Sequence, residues 1–115
     1  MKNVARMQNL KRGDVVWINL DPTVGAEIRK RRPCAIVSLT VLNDQRLTVV
    51  VVPLSGSGTP RPPLVVAVPS AGADSNARID QIRAVDKSRV VGAIGRLSST
   101  DMEAVAQGLR TVLGL

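Results

Sequence analysis

The sequence predicts one mainly-β domain over residues 1–115, a small barrel or curled sheet with a single helix packed on it at the C-terminal end. Three observations predict it. Short runs rich in Val, Ile and Leu recur between loops marked by Pro and Gly, the pattern of strands and turns. Helical spacing is sustained only from residue 98 onward. A chain of 115 residues is one domain, long enough for a real core but small enough that the core is thin.

The elements follow in order. DVVWINL (14–20), between Gly13 and Asp21-Pro22, is the first strand. DPTVGAEIRKRR (21–32) has no apolar period and reads as a surface loop. CAIVSLTVL (34–42) is expected as a second strand, with Asn43-Asp44-Gln45-Arg46 as the turn after it. LTVVVVPL (47–54) is apolar at successive positions. It is either a central strand covered on both faces within the chain, or one that leaves apolar surface for a symmetric dimer to cover. SGSGTPRPP (55–63) is a loop, LVVAV (64–68) a short strand, and PSAGADSNA (69–77) a loop of small residues. RIDQIRAV (78–85) fits a strand end or a short helical turn, and VVGAIGRL (90–97) a strand whose glycines mark a bend or close packing. In SSTDMEAVAQGLRTVLGL (98–115), Met102, Val105, Ala106, Leu109, Val112 and Leu113 share a helical stripe. Ser98 with Asp101 is its start signal and Gly114 its stop.

Composition then narrows function. Sixteen Lys and Arg against nine Asp and Glu give a formal charge of +7, which favours an anionic partner, nucleic acid first. No stretch is apolar enough to cross a bilayer, and the N-terminal MKNVARMQNLKRGD lacks the apolar centre of a signal peptide, so a cytoplasmic location is expected. The chain has no His, Tyr or Phe. Imidazole chemistry is therefore excluded, and so is an aromatic stacking platform. Cys34 is the only cysteine, which rules out an internal disulfide and a thiolate zinc cluster, and it reads as inert at a strand start. No metal or cofactor is expected. Trp17 reads as a core residue, with base stacking as the alternative.

One stretch resists a bland account. RKRRPCAIVS (29–38) sets four cations against a proline and then an apolar run. Alone, such a block is a solvated loop or a non-specific nucleic-acid patch. Asp86 and Arg89 read as a surface ion pair, with Asp80 and Arg83 as further partners. Lys11-Arg12 is either solvated or near a nucleic-acid groove.

Three stretches in register resemble the MazF/PemK/Kid-type toxins of type II toxin–antitoxin systems. GDVVWINLDPTVGAEIRKRRPCAIVS (13–38) carries GD, the DPTxGxE turn and RP before an apolar strand. VVVVPLS (49–55) is similar to the family's next strand, which ends in Ser or Thr, and IDQIRAVDKSRVVGAIGRLS (79–98) to its DQIRTxDKxR stretch. The resemblance runs from Gly13 to the end of the chain. It implies an SH3-like barrel with a C-terminal helix, acting as a homodimer. It further implies a sequence-specific, metal-independent endoribonuclease of single-stranded RNA, silenced by an antitoxin whose acidic tail crosses the active groove.

Metal-free RNA cleavage uses the substrate's own 2′-hydroxyl as nucleophile and leaves a 2′,3′-cyclic phosphate and a 5′-hydroxyl. The site must hold the phosphate, neutralise its growing charge and move two protons. By resemblance, Arg32 and Ser55 occupy one proposed catalytic pair. A guanidinium placed by Pro33 suits a phosphate clamp, because its fork binds two oxygens. Arg78 and Asp80 match a second pair, with Asp80 as base. Arginine stays protonated to a pKa above ~12, so Arg78 fits charge stabilisation rather than proton donation. The two pairs are partly rival assignments of the proton transfers. Arg29, Lys30 and Arg31 are the expected contacts to flanking RNA phosphates, joined by Gln81 and by Glu27, which either caps its loop or serves as an auxiliary base. The chain departs from the pattern at Ala26, where the Kid branch has a histidine, and in Ile28-Arg29-Lys30-Arg31, which replaces a small or glycine-containing spacer. Two other classes stay open: a gyrase-binding poison of the CcdB type, and an inactive nucleic-acid-binding module. CcdB-type chains end in Trp-Gly-Ile, whereas this one ends Val112-Leu113-Gly114-Leu115.

Overall fold

The structure is a computed structural model that describes residues 9–115; most of the N-terminal stretch read above for a signal, residues 1–8, lies outside the described residues. Among the described residues, seven strands and two α-helices follow one another as β1 (Asp14–Asn19), β2 (Arg31–Ile36), α1 (Thr40–Gln45), β3 (Thr48–Ser55), β4 (Val65–Ala67), β5 (Asn76–Arg78), β6 (Arg83–Asp86), β7 (Val90–Arg96) and α2 (Ser99–Leu113). All strand pairs are antiparallel, in the order β4-β5-β3-β2-β1-β7, with β6 also paired to β3. No helix among the described residues is long and apolar enough to cross a membrane.

Strand alternation divides the core in two. Val16, Ile18, Cys34, Ile36, Val49 and Val51 point to one side, where Leu10, Leu20 and Val85 join them. Val15, Ala35, Val52 and Leu54 point to the other, against β4, β5 and Val105 of α2. The VVVV run of β3 is thus covered within one chain: Val49, Val51 and Val52 are buried and Val50 half-buried. Of the two readings of this strand, the intrachain one holds, and β3 gives no argument for a dimer.

Two boundaries differ from expectation. The segment 34–42 is not one strand. β2 starts earlier, at Arg31, and stops at Ile36, after which α1 occupies what was read as strand end and turn. The cause is tertiary. The buried Asn43 amide donates to the carbonyls of Leu10 (3.1 Å) and Ser38 (3.2 Å), and its oxygen accepts from the Ser38 hydroxyl at 2.5 Å. These bonds fix a helical turn where β-branched residues alone favour a strand. Trp17 is not a core residue. It lies between Pro33 of β2 and Gly92 of β7 with 41% of its surface exposed.

The C-terminal helix forms as its signals require. The Ser98 hydroxyl accepts from Asp101 N (3.1 Å), and Gly114 closes the helix in the left-handed region at φ 71°. Asp101 does not reach back to Ser98 directly. Its carboxylate accepts from Ser70 N and Oγ, and Ser70 Oγ in turn accepts from Ser98 N, so the box closes through a third residue. Val105 and Ala106 are buried, while Leu113, read as part of the stripe, is half exposed. Gly108 is the closest approach. A Cβ there would stand 3.2 Å from Ile79 Cγ1 and 3.2 Å from the Pro63 carbonyl, so any larger residue requires these neighbours to give by a few tenths of an ångström.

Candidate active site

The site grows out of a change of partner along β3. On one edge β3 pairs with β2; on the other it pairs with β6 up to Val51 and with β5 from Leu54. Val52 and Pro53 fall in the gap on that edge, and Pro53 has no N–H to leave unsatisfied there. A 3-10 turn, Ile79–Gln81, links β5 to β6 across this gap. Ile79 is fully buried and anchors the turn, while Asp80 and Gln81 project outward from it.

On the other edge of β3, the register does the same for the basic run. Cys34 is the last residue paired with β3, opposite Pro53, and the same register carried two residues further brings Arg32 toward Ser55. Arg32, Ser55, Arg78 and Asp80 consequently line one cavity of about 310 Å³, together with Ala26, Ile28, Ser57 and Gln81. Residues distant in sequence converge because three strand ends and one turn meet at the end of β3. Ser55 is buried; its hydroxyl accepts from Arg78 Nε at 3.0 Å and donates to the Ser57 carbonyl at 3.2 Å. Arg78 is thereby held through Nε, and its two terminal nitrogens make no hydrogen bond among the described residues. Arg32 is held more lightly, by Nε donating to the Arg29 carbonyl at 3.3 Å. The ion pairs among the described residues are Arg96–Asp14 and Arg110–Glu103, so neither Arg78 nor Arg83 neutralises Asp80 at salt-bridge distance.

The remaining candidates separate. Gln81 lines the cavity and also accepts from Ile28 N at 3.3 Å, tying the turn to the loop 21–30. Glu27 accepts from Val24 N at 2.6 Å, which is the loop-capping role; it lines an adjoining cavity rather than the central one. Arg29, Lys30 and Arg31 are exposed and do not line the central cavity. Arg31 alternates with Arg32 along β2 and so faces the opposite side. Cys34 is buried, and desolvation pushes its thiol up to about 12 despite the nearby Arg83 and Arg32 charges, so it stays a neutral core group.

Other cations have structural duties. Asp86 and Arg89 do not pair with each other, contrary to the reading from sequence. The Asp86 carboxylate accepts from Ser88 N at 2.8 Å, which with the Ser88 side chain and then the Arg89 charge holds its pKa below the ordinary value. Arg89 donates to the carbonyls of Asn19 and Asp21. Lys11 is exposed, as the solvated reading has it, while the half-buried Arg12 is tied into the fold: its guanidinium holds the Val37 carbonyl and its N–H the Thr40 hydroxyl.

Two positioning residues had no sequence signal. Asp21 Oδ1 accepts from Lys30 N (3.1 Å), holding Lys30 at φ 73° in a conformation that non-glycine residues rarely adopt, just before Arg31 and Arg32. Asn76, buried, donates to the carbonyls of Ser57 and Gly58 and so shapes the loop after Ser55.

A small antiparallel sheet with one packed helix, and a cationic, hydroxyl-bearing cavity at the end of its central strand, define a protein built to hold an anionic substrate. Residues 11–113 match the family described as PemK-like, MazF-like toxin of type II toxin-antitoxin system, and the chain belongs to that family. It is 32% identical to the endoribonuclease PemK of Escherichia coli, over 96% of this chain and 86% of that protein. The crystal structure of MazF from Deinococcus radiodurans superimposes with a TM-score of 0.83 at 24% identity, covering 92% of this chain and 97% of that one, which shows the shared fold. A mycobacterial endoribonuclease in complex with its cognate antitoxin is similar at a TM-score of 0.76 and 26% identity, over 95% and 97% of the two chains.

Proposed function

We propose that this chain is the toxin of a toxin–antitoxin pair and a metal-independent, sequence-specific endoribonuclease of single-stranded RNA. The observation that carries the reading is the convergence of Arg32, Ser55, Arg78 and Asp80 on one cavity, with Arg78 oriented by the Ser55 hydroxyl. Arg32 and the terminal nitrogens of Arg78 hold the phosphate oxygens and neutralise charge as the phosphorus becomes five-coordinate. Asp80, lacking a cationic partner, takes the proton from O2′. The O2′–P bond forms, the P–O5′ bond breaks, and O5′ leaves as a hydroxyl after protonation. Because the nucleophile belongs to the substrate, holding it in line with the leaving oxygen is the main demand on the protein. The two rival pairs act as one group in this geometry, since Ser55 belongs to both through Arg78.

The exposed cations Arg29 and Lys30 take the flanking backbone, each phosphate contact adding about −0.7 to the slope of log affinity against log salt, while Arg31, on the other side of β2, is left out of this contact. An antitoxin with an acidic C-terminal tail would lie in the same groove; a similar mycobacterial endoribonuclease is itself in complex with a cognate antitoxin. The working form is a homodimer in the cytoplasm. The test is incubation of the purified protein with single-stranded RNA in chelator, with both new ends mapped. We expect 5′-hydroxyl and cyclic-phosphate ends, and no cutting where the scissile 2′-hydroxyl is replaced by hydrogen. Intact RNA at enzyme excess would overturn the reading.

A further inference from the structure

The central cavity continues into a larger one of about 690 Å³, with Arg78 and Asp80 forming the shared wall. Its far side is built from the loop 58–65 and holds no residue used above: Thr59, Arg61, Pro62, Pro63 and Leu64. This volume is in the range of small-molecule sites. Its chemistry is that of a base site rather than a phosphate site. Pro62, Pro63 and the half-exposed Leu64 give apolar walls, and no aromatic is present.

The loop is also fixed. Arg61 N donates to the Val65 carbonyl (2.7 Å), and the Arg61 carbonyl accepts from Leu64 N (3.0 Å) and Val65 N (3.0 Å). Asn76 pins the other end through the Gly58 carbonyl at 3.0 Å. Arg61 is therefore a cation on a rigid turn, its side chain exposed and making no hydrogen bond among the described residues. We propose that this cavity receives the nucleobase next to the scissile phosphate and that Arg61 selects guanine there. The inference rests on the nuclease reading above.

Among the lining groups, Arg78 is committed to Ser55 and Asp80 faces the reacting phosphate, which leaves Arg61 and Thr59 to read the base. An arginine fork matches the two acceptors O6 and N7 of guanine, and no other base offers that pair. Single-stranded RNA presents this edge freely, and a guanidinium plane stacks on bases where aromatics are lacking.

The experiment is equilibrium binding of short RNAs carrying a 2′-deoxy substitution at the cut site and G, A, C or U at the neighbouring position, alongside cleavage of the all-RNA versions. The native chain should prefer guanine by about tenfold or more, within the range of a bidentate contact. Arg61→Ala, which keeps every main-chain bond of the loop, should bind all four alike, and Arg61→Lys, whose single ammonium reaches O6 and N7 without a fixed fork, should keep the salt dependence and only part of the preference. If Arg61→Ala weakens all four equally and lowers the salt slope, Arg61 is a phosphate contact and the proposal fails. An unchanged preference in Arg61→Ala also overturns it. Guanine-selective binding without cleavage of any RNA would sink the nuclease reading and leave the base site standing; cleavage whose preference ignores Arg61 would do the reverse.

Discussion

Two sets of arginines divide this molecule. Around β1, β6 and β7, guanidiniums are occupied by the protein itself: Arg12 holds the Val37 carbonyl, Arg83 that of Leu20, Arg89 those of Asn19 and Asp21, and Arg96 bonds Asp14 at 2.6 Å and the Arg12 carbonyl at 3.2 Å. Around the end of β3, the donors are left over. Arg78 and Arg32 each use Nε to fix the side chain, line the cavity, and leave their terminal nitrogens without a hydrogen bond among the described residues. The net charge of +7 does not distinguish these sets. What distinguishes them is whether nearby carbonyls consume the donors, because a guanidinium has five and a fixed fork.

The sharpest way to break this division is to truncate one member of each set. Arg32→Ala or Arg78→Ala should lower RNA cleavage by about 10²–10³-fold, the loss seen when a charge-stabilising donor is removed, with thermal stability nearly unchanged. Arg89→Ala should do the opposite. It orphans two carbonyls and loosens the start of the basic loop, lowering stability by about 1–2 kcal/mol, with cleavage reduced less than tenfold. Thermal melts and initial cleavage rates on one preparation of each variant decide it. A hundredfold loss of cleavage in Arg89→Ala at unchanged stability would mean the two sets are not distinct.

A second test moves the cavity without touching its arginines. Gly108→Ala gains about 1 kcal/mol of helix propensity, but its Cβ meets Ile79 and the Pro63 carbonyl at 3.2 Å. The helix, the Asp80-bearing turn or the Pro62-Pro63 wall must shift by a few tenths of an ångström. We expect near-neutral stability and about a tenfold fall in kcat, since misplacement of this order matters more to an oriented reaction than to packing. Stability lost without any loss of kcat would show that α2 supports the core but not the site.

That test depends on a residue invisible in the sequence, and the same divide runs through the whole reading. β1, β3, β7 and the capped helix were legible because each is set by local pattern: β-branched runs between turn residues, and Ser98 and Gly114 at the helix ends. The segment 34–42 was misread because α1 depends on Asn43 reaching Leu10, far off in the chain, and no local preference encodes that. In the site, Arg32, Ser55, Arg78 and Asp80 were legible only as matches to family motifs. Their meeting rests on the β2–β3 register and on the partner change at Val52-Pro53, which are properties of the folded sheet. Asp21, Asn76 and Arg61 work through a main-chain N–H, main-chain carbonyls or a loop wall, roles that any polar residue in a loop can have. The bland ion pair expected between Asp86 and Arg89 failed for a related reason: both had closer main-chain partners.

The smallest effect concerns Cys34, two residues beyond Arg32 on the same strand and fully buried. At neutral pH a thiol reagent should leave it unmodified in the folded protein and label it on unfolding, since its pKa is raised to about 12 by burial. The sign of the linkage follows. An unfolded cysteine ionises near ~8.5, so above that pH the unfolded state holds fewer protons than the folded one and stability falls as pH rises, by up to about 1.4 kcal/mol per pH unit. Below that range the thiol contributes no pH dependence. Comparing native chain with Cys34→Ala from pH 7 to 11 isolates the effect, because other titrating groups cancel in the difference. The Ala variant should lose the extra slope above pH 9 while both proteins run parallel at neutral pH. Rapid labelling of the folded chain at pH 7 would instead place Cys34 within reach of the cavity, and the boundary between reactive end and inert core would then fall further along β2 than Arg32.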